Sequence, residues 1–297
     1  MNSDASFNPL PVLQGKGGWT RNWITIASAA GRTPTIVGTG WAAVDVREPF
    51  VQICNLEISG RATSNNYQDT TRVGISVSAT HHIRIANNYV HNFSLGGINA
   101  NHSNNLELLG NVVHDNSFWG PEQGSGISVF QPSDAIGSFD TDYQIVIAGN
   151  VVHHNSNRVA SQHRTNEYGQ PVATDGNGII LDDFEQLQVR RSRRNAFDGW
   201  ALVANNVSYL NGGRGIHAGP NGGRRIHIVN NTSYHNLQSA TDASVLYDPF
   251  GRAEITMMGT QRQSSWEMLL INNIAIVDPS LDNSTDNVMA YYRGNIA

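Results

Sequence analysis

One phrase recurs through the chain: Ile85-Ala-Asn-Asn-Tyr-Val-His-Asn, Leu109-Gly-Asn-Val-Val-His-Asp-Asn, Ala148-Gly-Asn-Val-Val-His-His-Asn, Ala204-Asn-Asn-Val-Ser-Tyr-Leu-Asn and Val229-Asn-Asn-Thr-Ser-Tyr-His-Asn, with an echo at Ile271-Asn-Asn-Ile. Aligned on Asn88, Asn111, Asn150, Asn206, Asn231 and Asn273, the steps are 23, 39, 56, 25 and 42 residues. Self-similarity at such a period is the mark of a solenoid, in which each repeat buries its apolar face only against its neighbours. The short steps fit one coil of brief strands, and the long ones a coil with insertions or an unmarked extra coil.

Each phrase follows a stretch with period-2 alternation, such as Ile83-Arg-Ile, Leu106-Glu-Leu, Ile145-Val-Ile or Ile226-His-Ile, which puts the apolar residues of a strand on one face. A second strand recurs after a glycine: Gly74-Ile-Ser-Val, Gly97-Ile-Asn-Ala, Gly126-Ile-Ser-Val, Gly178-Ile-Ile-Leu and Gly215-Ile-His-Ala. Stacking such coils at about 4.8 Å satisfies each strand's backbone from its neighbours. The stacked asparagines are expected to occupy a turn, where asparagine tolerates left-handed backbone and in register forms an amide ladder. His91, His114 and His153 follow in the same register and should stack on one edge, a ladder or surface role rather than a metal site.

Composition narrows the function. Twenty-nine glycines among 297 residues suit many turns, and the net charge of -5 argues against a nucleic-acid partner. No apolar run reaches the ~18 residues of a membrane span, and Met1 to Gly18 carries no signal-peptide pattern. The lone Cys54 excludes an intrachain disulfide and reads as core. Lys16 is the single lysine, which restricts the bases available.

In the glycine-aligned strands the first and third positions (Ile75 and Val77, Ile98 and Ala100, Ile127 and Val129, Ile179 and Leu181, Ile216 and Ala218) should point inward. The second and fourth then face solvent: Ser76 and Ser78, Asn99 and Asn101, Ser128 and Phe130, Ile180 and Asp182, His217 and Gly219. Charge enters only in the last two of these coils. Asp175, Asp182 and Asp183 bracket one strand, with Arg214 and His217 on the next. Carboxylates so gathered repel unless a cation or arginines offset them, and Ca²⁺, which prefers hard oxygen ligands, is one candidate. Equally, Asp175 caps a glycine-rich turn and Asp182 and Asp183 end a strand. Long loops at about 155–174 and 184–199 flank the same strand. The second holds Arg190, Arg191, Arg193 and Arg194, which either grip a polyanionic sugar chain or form a solvated loop paired with Glu185 and Asp198. Phe118, Trp119, Phe130 and Trp200 stack on sugar rings or pack beneath loops.

The Asn-Asn-x-Val-His-Asn phrase, with Gly212-Gly-Arg-Gly-Ile-His and Asp175-Gly-Asn-Gly-Ile-Ile-Leu-Asp-Asp, resembles the bacterial right-handed parallel β-helix proteins of the pectate-lyase-like superfamily, over roughly residues 50 to 277. The resemblance implies an all-β, single-domain right-handed parallel β-helix across 1–297: N-terminal coils over 1–50, repeat coils over 51–277, and a segment at 278–297 covering the far end. Little precedes Trp23 that resembles a capping helix, so residues 1 to 20 cover that end, the end pairs with something, or the natural chain is longer. The superfamily holds lyases, hydrolases, epimerases and adhesins, so fold alone does not select a reaction. Similarity to its calcium-dependent lyases implies Asp175, Asp182 and Asp183 as Ca²⁺ ligands and Arg214 as the base, with His217 positioning the substrate or, on simple acid–base grounds, acting as the base itself. The substrate class implied is an anionic, uronate-containing polysaccharide cleaved by β-elimination, bound along Asn99, Asn101, Phe130 and the arginine cluster. Secretion or a periplasmic location follows from the same resemblance. Two other readings stand beside it: a glycoside hydrolase using two of the aspartates as acid and base, and a non-catalytic carbohydrate-binding or adhesion module.

Overall fold

The computed structural model describes residues 22–38, 40–63, 70–133, 143–188, 197–219, 225–240, 246–247, 253–258, 267–279 and 287–292. Apart from one 3₁₀ turn at Gln238–Ala240, every described element is a strand. The strands form three parallel sheets of eight, and each coil contributes one strand to each sheet in turn. The chain is thus a right-handed parallel β-helix. Among the described residues no helix is long and apolar enough to cross a membrane.

Register follows the repeat. In the third sheet Val44, Ile75, Ile98, Ile127, Ile179, Ile216 and Ile255 pair one above another. Val46, Val77, Ala100, Val129, Leu181, Ala218 and Met257 form the second inward column, and both columns belong to one continuous buried core. The branched side chains that fill most of these positions suit the pleat. The last strand of this sheet, Asn287–Tyr292, pairs with Ala253–Met258 and lies within the segment expected to cover the far end.

The asparagine ladder runs through six coils. Each Oδ1 accepts from the backbone N–H and the Nδ2 of the asparagine one coil earlier, from Asn88 to Asn111, Asn150, Asn206, Asn231 and Asn273. The left-handed residue is not the ladder asparagine but the one before it: Asn87, Gly110, Gly149, Asn205, Asn230 and Asn272 all have φ between 54° and 68°. One residue turns the chain, and the next turns its amide inward.

A second ladder stands five residues further on. Asn116, Asn155, Asn211 and Asn236 are linked in the same way. It explains the glycine column. A Cβ at Gly97, Gly126, Gly178 or Gly215 would stand 3.0, 2.7, 2.9 or 2.6 Å from the Nδ2 of Asn116, Asn155, Asn211 or Asn236. In the last of these coils Glu254 replaces the glycine, and its carboxylate accepts from the Asn236 N–H, Asn236 Nδ2 and Ser233 Oγ. Burial raises the Glu254 carboxyl above its ordinary range, while bonds from Asn236 and Ser233 oppose the rise.

On the outer face of the second sheet the rings of His91, His114, His153, Tyr209 and Tyr234 stack, with centroids 4.7–5.1 Å apart. The two tyrosines extend the expected histidine stack, since any flat ring serves at that position. Burial, then the neighbouring His114 and His154, push His153 down to about 4.

Candidate functional site

The outer face of the third sheet collects most of the residues singled out from the sequence. Asn99 lies between Ser76 and Ser128, and that column continues through Ile180, His217 and Thr256. Beside it run Ser78, Asn101, Phe130 and Asp182 in hydrogen-bonded order. Asp175 sits in the turn that leads into Ile179–Asp182. Arg190, Arg191, Arg193 and Arg194 lie outside the described residues.

The expectation that Arg214 and His217 face solvent is corrected. Arg214 is 7% exposed and His217 4%, and Ile180 in the same column is equally covered. Outward parity on a strand places a side chain outside the coil, which is not the same as placing it in water. The His217 Nδ1 is paired with the Thr256 hydroxyl on the next strand, which leaves Nε2 free of that bond. A Cβ added at Gly219 would stand 3.2 Å from Asp182 Oδ1 and 3.3 Å from His217 Nε2. The two groups therefore border one small space, and glycine keeps it open.

Asp183 takes a different role from Asp182. It is fully buried, with φ 50°. Its Oδ1 accepts from the Leu187 N–H at 2.8 Å, and its Oδ2 from the Gln188 N–H at 2.9 Å and from Gln131 Nε2. It thereby anchors Leu187 and Gln188, and Gln188 donates to Asp182 Oδ1 at 2.7 Å. Among the described residues no group of three or more His, Cys, Asp or Glu is arranged to hold a metal ion. The donors around Asp183 are N–H groups, which suit a carboxylate that caps a turn, so the three aspartates do not fit a shared calcium cage.

Asp175 and Asp182 remain as a pair. Burial raises Asp182, the charges of Asp175 and Asp183 raise it further, and bonds from Gln188 and the Asp183 backbone oppose; the result is about 7. Asp175 is pushed up by burial to about 6, against the opposing pull of Arg214, Asn177 and Arg164. His217 is driven well below the ordinary histidine range, first by burial and then by the Arg214 charge, so at neutral pH it is uncharged. Perturbed groups gathered in this way are what proton-transfer sites are made of.

Sequence reasoning missed two supports. Asn177 is fully buried; its Oδ1 accepts from the Arg214 N–H at 2.9 Å and its Nδ2 reaches Asp175 Oδ1 at 3.4 Å, tying the two coils of the site together. Its place between two glycines in Asp175-Gly-Asn-Gly was the available signal. Thr256 had none, because its coil lacks the marker glycine, where Glu254 stands.

Fold and site together define a parallel β-helix with a titratable cluster on the outer face of one sheet, in which Arg214 and His217 are buried and Asp175 and Asp182 half-buried. The chain belongs to the family described as "Protein of unknown function (DUF1565)", which it matches over residues 13–209. That span includes Asp175, Asp182 and Asp183 and ends before Arg214 and His217. No curated protein and no solved structure matches the chain.

Proposed function

We propose that this protein is an exported, pectate-lyase-like enzyme that cleaves an acidic, uronate-containing polysaccharide by β-elimination at the Asp175, Asp182, Arg214 and His217 cluster. The observation that carries the reading is a carboxyl pushed up to about 7 beside a neutral imidazole. A group with a pKa near the working pH is the most effective proton-transfer catalyst. Asp182 removes the proton from the carbon next to the substrate carboxylate. The bond from the neighbouring carbon to the glycosidic oxygen breaks, a carbon–carbon double bond forms, the leaving oxygen takes up a proton from water, and Asp182 then returns its proton to water. His217 borders the same space as Asp182 and positions the sugar. Arg214 supplies a positive charge for the substrate carboxylate. No step runs through calcium.

Glycoside hydrolysis is the second reading, and a specific observation favours it: Asp175 and Asp182 are both raised, to about 6 and about 7, as an acid and base pair requires. One assay separates the two. A panel of acidic polysaccharides is incubated with the chain, with and without Ca²⁺, and followed by both near-ultraviolet absorbance and new reducing ends. Elimination gives both signals, and Asp182→Asn removes both. Reducing ends without absorbance would replace elimination by hydrolysis, and neither signal on any polymer would overturn the enzymatic reading.

A further inference from the structure

A cavity of about 320 Å³ opens at the corner between the second and third sheets, lined by Asn92, Phe93, Asp115, Phe118 and Trp119 among others. It is separate from the cluster described above. Its volume is at the lower end of the range for small-ligand sites. Phe118 and Trp119 meet edge to face, with centroids 6.4 Å apart, and both are half-buried, so they supply apolar ring surface next to solvent. The exposed Arg158 lies with its guanidinium carbon 4.1 Å from the centre of the Phe118 ring. Asp115 and Asn92 bring a carboxylate and an amide to the other side. Flat apolar surface, hydroxyl-binding groups and a guanidinium close over a ring form a set that fits an acidic pyranose: the rings take its C–H face, Asp115 and Asn92 its hydroxyls, and Arg158 its carboxylate.

Position connects the cavity to the reactive cluster. Phe118 and Trp119 lie in the turn leading into Ile127–Phe130, and Asp175 lies in the turn leading into Ile179–Asp182, the adjacent strand. Adjacent strands are about 4.8 Å apart, close to the advance of one sugar along a chain. The two turns are joined directly: the Gly176 N–H donates to Gly124 O at 2.7 Å, Asn157 Nδ2 to Gly124 O at 3.2 Å, and the Arg158 N–H to Phe118 O at 3.1 Å.

We propose that the cavity lined by Trp119, Phe118, Asp115 and Asn92, with Arg158 over the Phe118 ring beside it, is a subsite for a uronic acid residue of the polysaccharide, placed toward the N-terminal coils from the reactive cluster. The ligand class rests on the polysaccharide reading above; the subsite itself is tested by binding. Calorimetry on the full chain carrying Asp182→Asn, which keeps the ligand whole, is run with oligosaccharides of galacturonate, of glucuronate and of mixed mannuronate and guluronate, each with two and six residues. Trp119→Ala should weaken the six-residue ligand roughly tenfold and leave the two-residue ligand unchanged. Arg158→Gln should act in the same direction, and the conservative Trp119→Phe should restore most of the affinity. Thermal midpoints should stay together, since these side chains line a surface cavity. Unchanged affinity for the six-residue ligand in Trp119→Ala, or no binding of any of these oligosaccharides, would overturn the subsite. Binding that Trp119→Ala weakens, with no polymer cleaved by the parent chain, removes the proposed reaction and keeps the subsite. Cleavage with no effect of Trp119→Ala does the reverse.

Discussion

Replacing Asn150 by alanine tests the first ladder where it is best enclosed. The Asn150 side chain is fully buried. Its Oδ1 accepts from the Asn111 backbone N–H at 2.9 Å and from Asn111 Nδ2 at 3.0 Å, while its Nδ2 donates to Leu108 O and to Asn206 Oδ1, both at 2.9 Å. Alanine leaves two donors of Asn111 without an acceptor, in a place water does not enter. Each buried orphan costs about 1–3 kcal/mol, so the loss should be about 2–6 kcal/mol. Asn273 ends the same ladder and is only half-buried. Water can reach the groups it leaves behind, and Asn273→Ala should cost about 1 kcal/mol. Asn150→Asp should be at least as harmful as Asn150→Ala at neutral pH, because it turns a carboxylate oxygen toward Leu108 O and Asn206 Oδ1. Thermal unfolding followed by far-ultraviolet circular dichroism reads all three, with Asn150→Ala expected to lower the midpoint by on the order of 10 °C. Equal losses for Asn150→Ala and Asn273→Ala would refute the reasoning, since burial is what separates them.

Asp182 should make stability depend on pH. Its folded pKa of about 7 lies above the ordinary 3.8, so between those values the folded state holds the extra proton and stability falls as pH rises through the window. Asp182→Asn should therefore be more stable than the parent at pH 8, by roughly 2 kcal/mol after allowance for its solvent-facing side, and no more stable near pH 3; denaturant titrations showing the same difference at both pH values would contradict this. Glu254→Gln should cost about 2 kcal/mol in the same measurement, because one of the oxygens accepting from Ser233 and Asn236 becomes a donor facing donors; an unchanged midpoint would mean the ladder does not need the carboxylate. Gly215→Ala should destabilise severely, its Cβ falling 1.9 Å from Ser233 Oγ, whereas Gly219→Ala should reduce cleavage while the melting temperature hardly moves. Loss of folding in Gly219→Ala would show that the space between Asp182 and His217 is structural.

The fold was legible because a solenoid writes its contacts into the sequence at fixed intervals. Ile98, Ile127, Ile179 and Ile216 could be placed on one inward column from the glycine before each, and pairing bears this out. The first asparagine ladder was legible for the same reason. The second, Asn116 to Asn236, was present in the recurring phrase as its final asparagine, but nothing in that spacing shows that a side chain there reaches across to the glycine column. The reciprocal requirement becomes visible only where it is broken, at Glu254, which fills the glycine's place and offers its own carboxylate where the next coil has Asp278 instead of asparagine.

The site was legible by parity and illegible by environment. Alternation placed Asp182 and His217 correctly on the outer face, and nothing more, because alternation describes which side of a coil a residue occupies and not what lies over it. Whether an outward histidine is a surface group or a buried, uncharged one depends on loops whose paths no local pattern fixes. The same limit explains why three neighbouring aspartates read as one set. Asp182 and Asp183 are adjacent in sequence, yet the left-handed backbone at Asp183 turns its carboxylate into the loop, where three N–H groups meet it. Asp182 stays on the strand, half-buried, within electrostatic reach of Asp175. Two chemically identical side chains one residue apart thus serve opposite ends: one offsets its charge with donors and fixes the loop, and the other, kept partly protonated by burial and by its neighbours, is left able to move a proton.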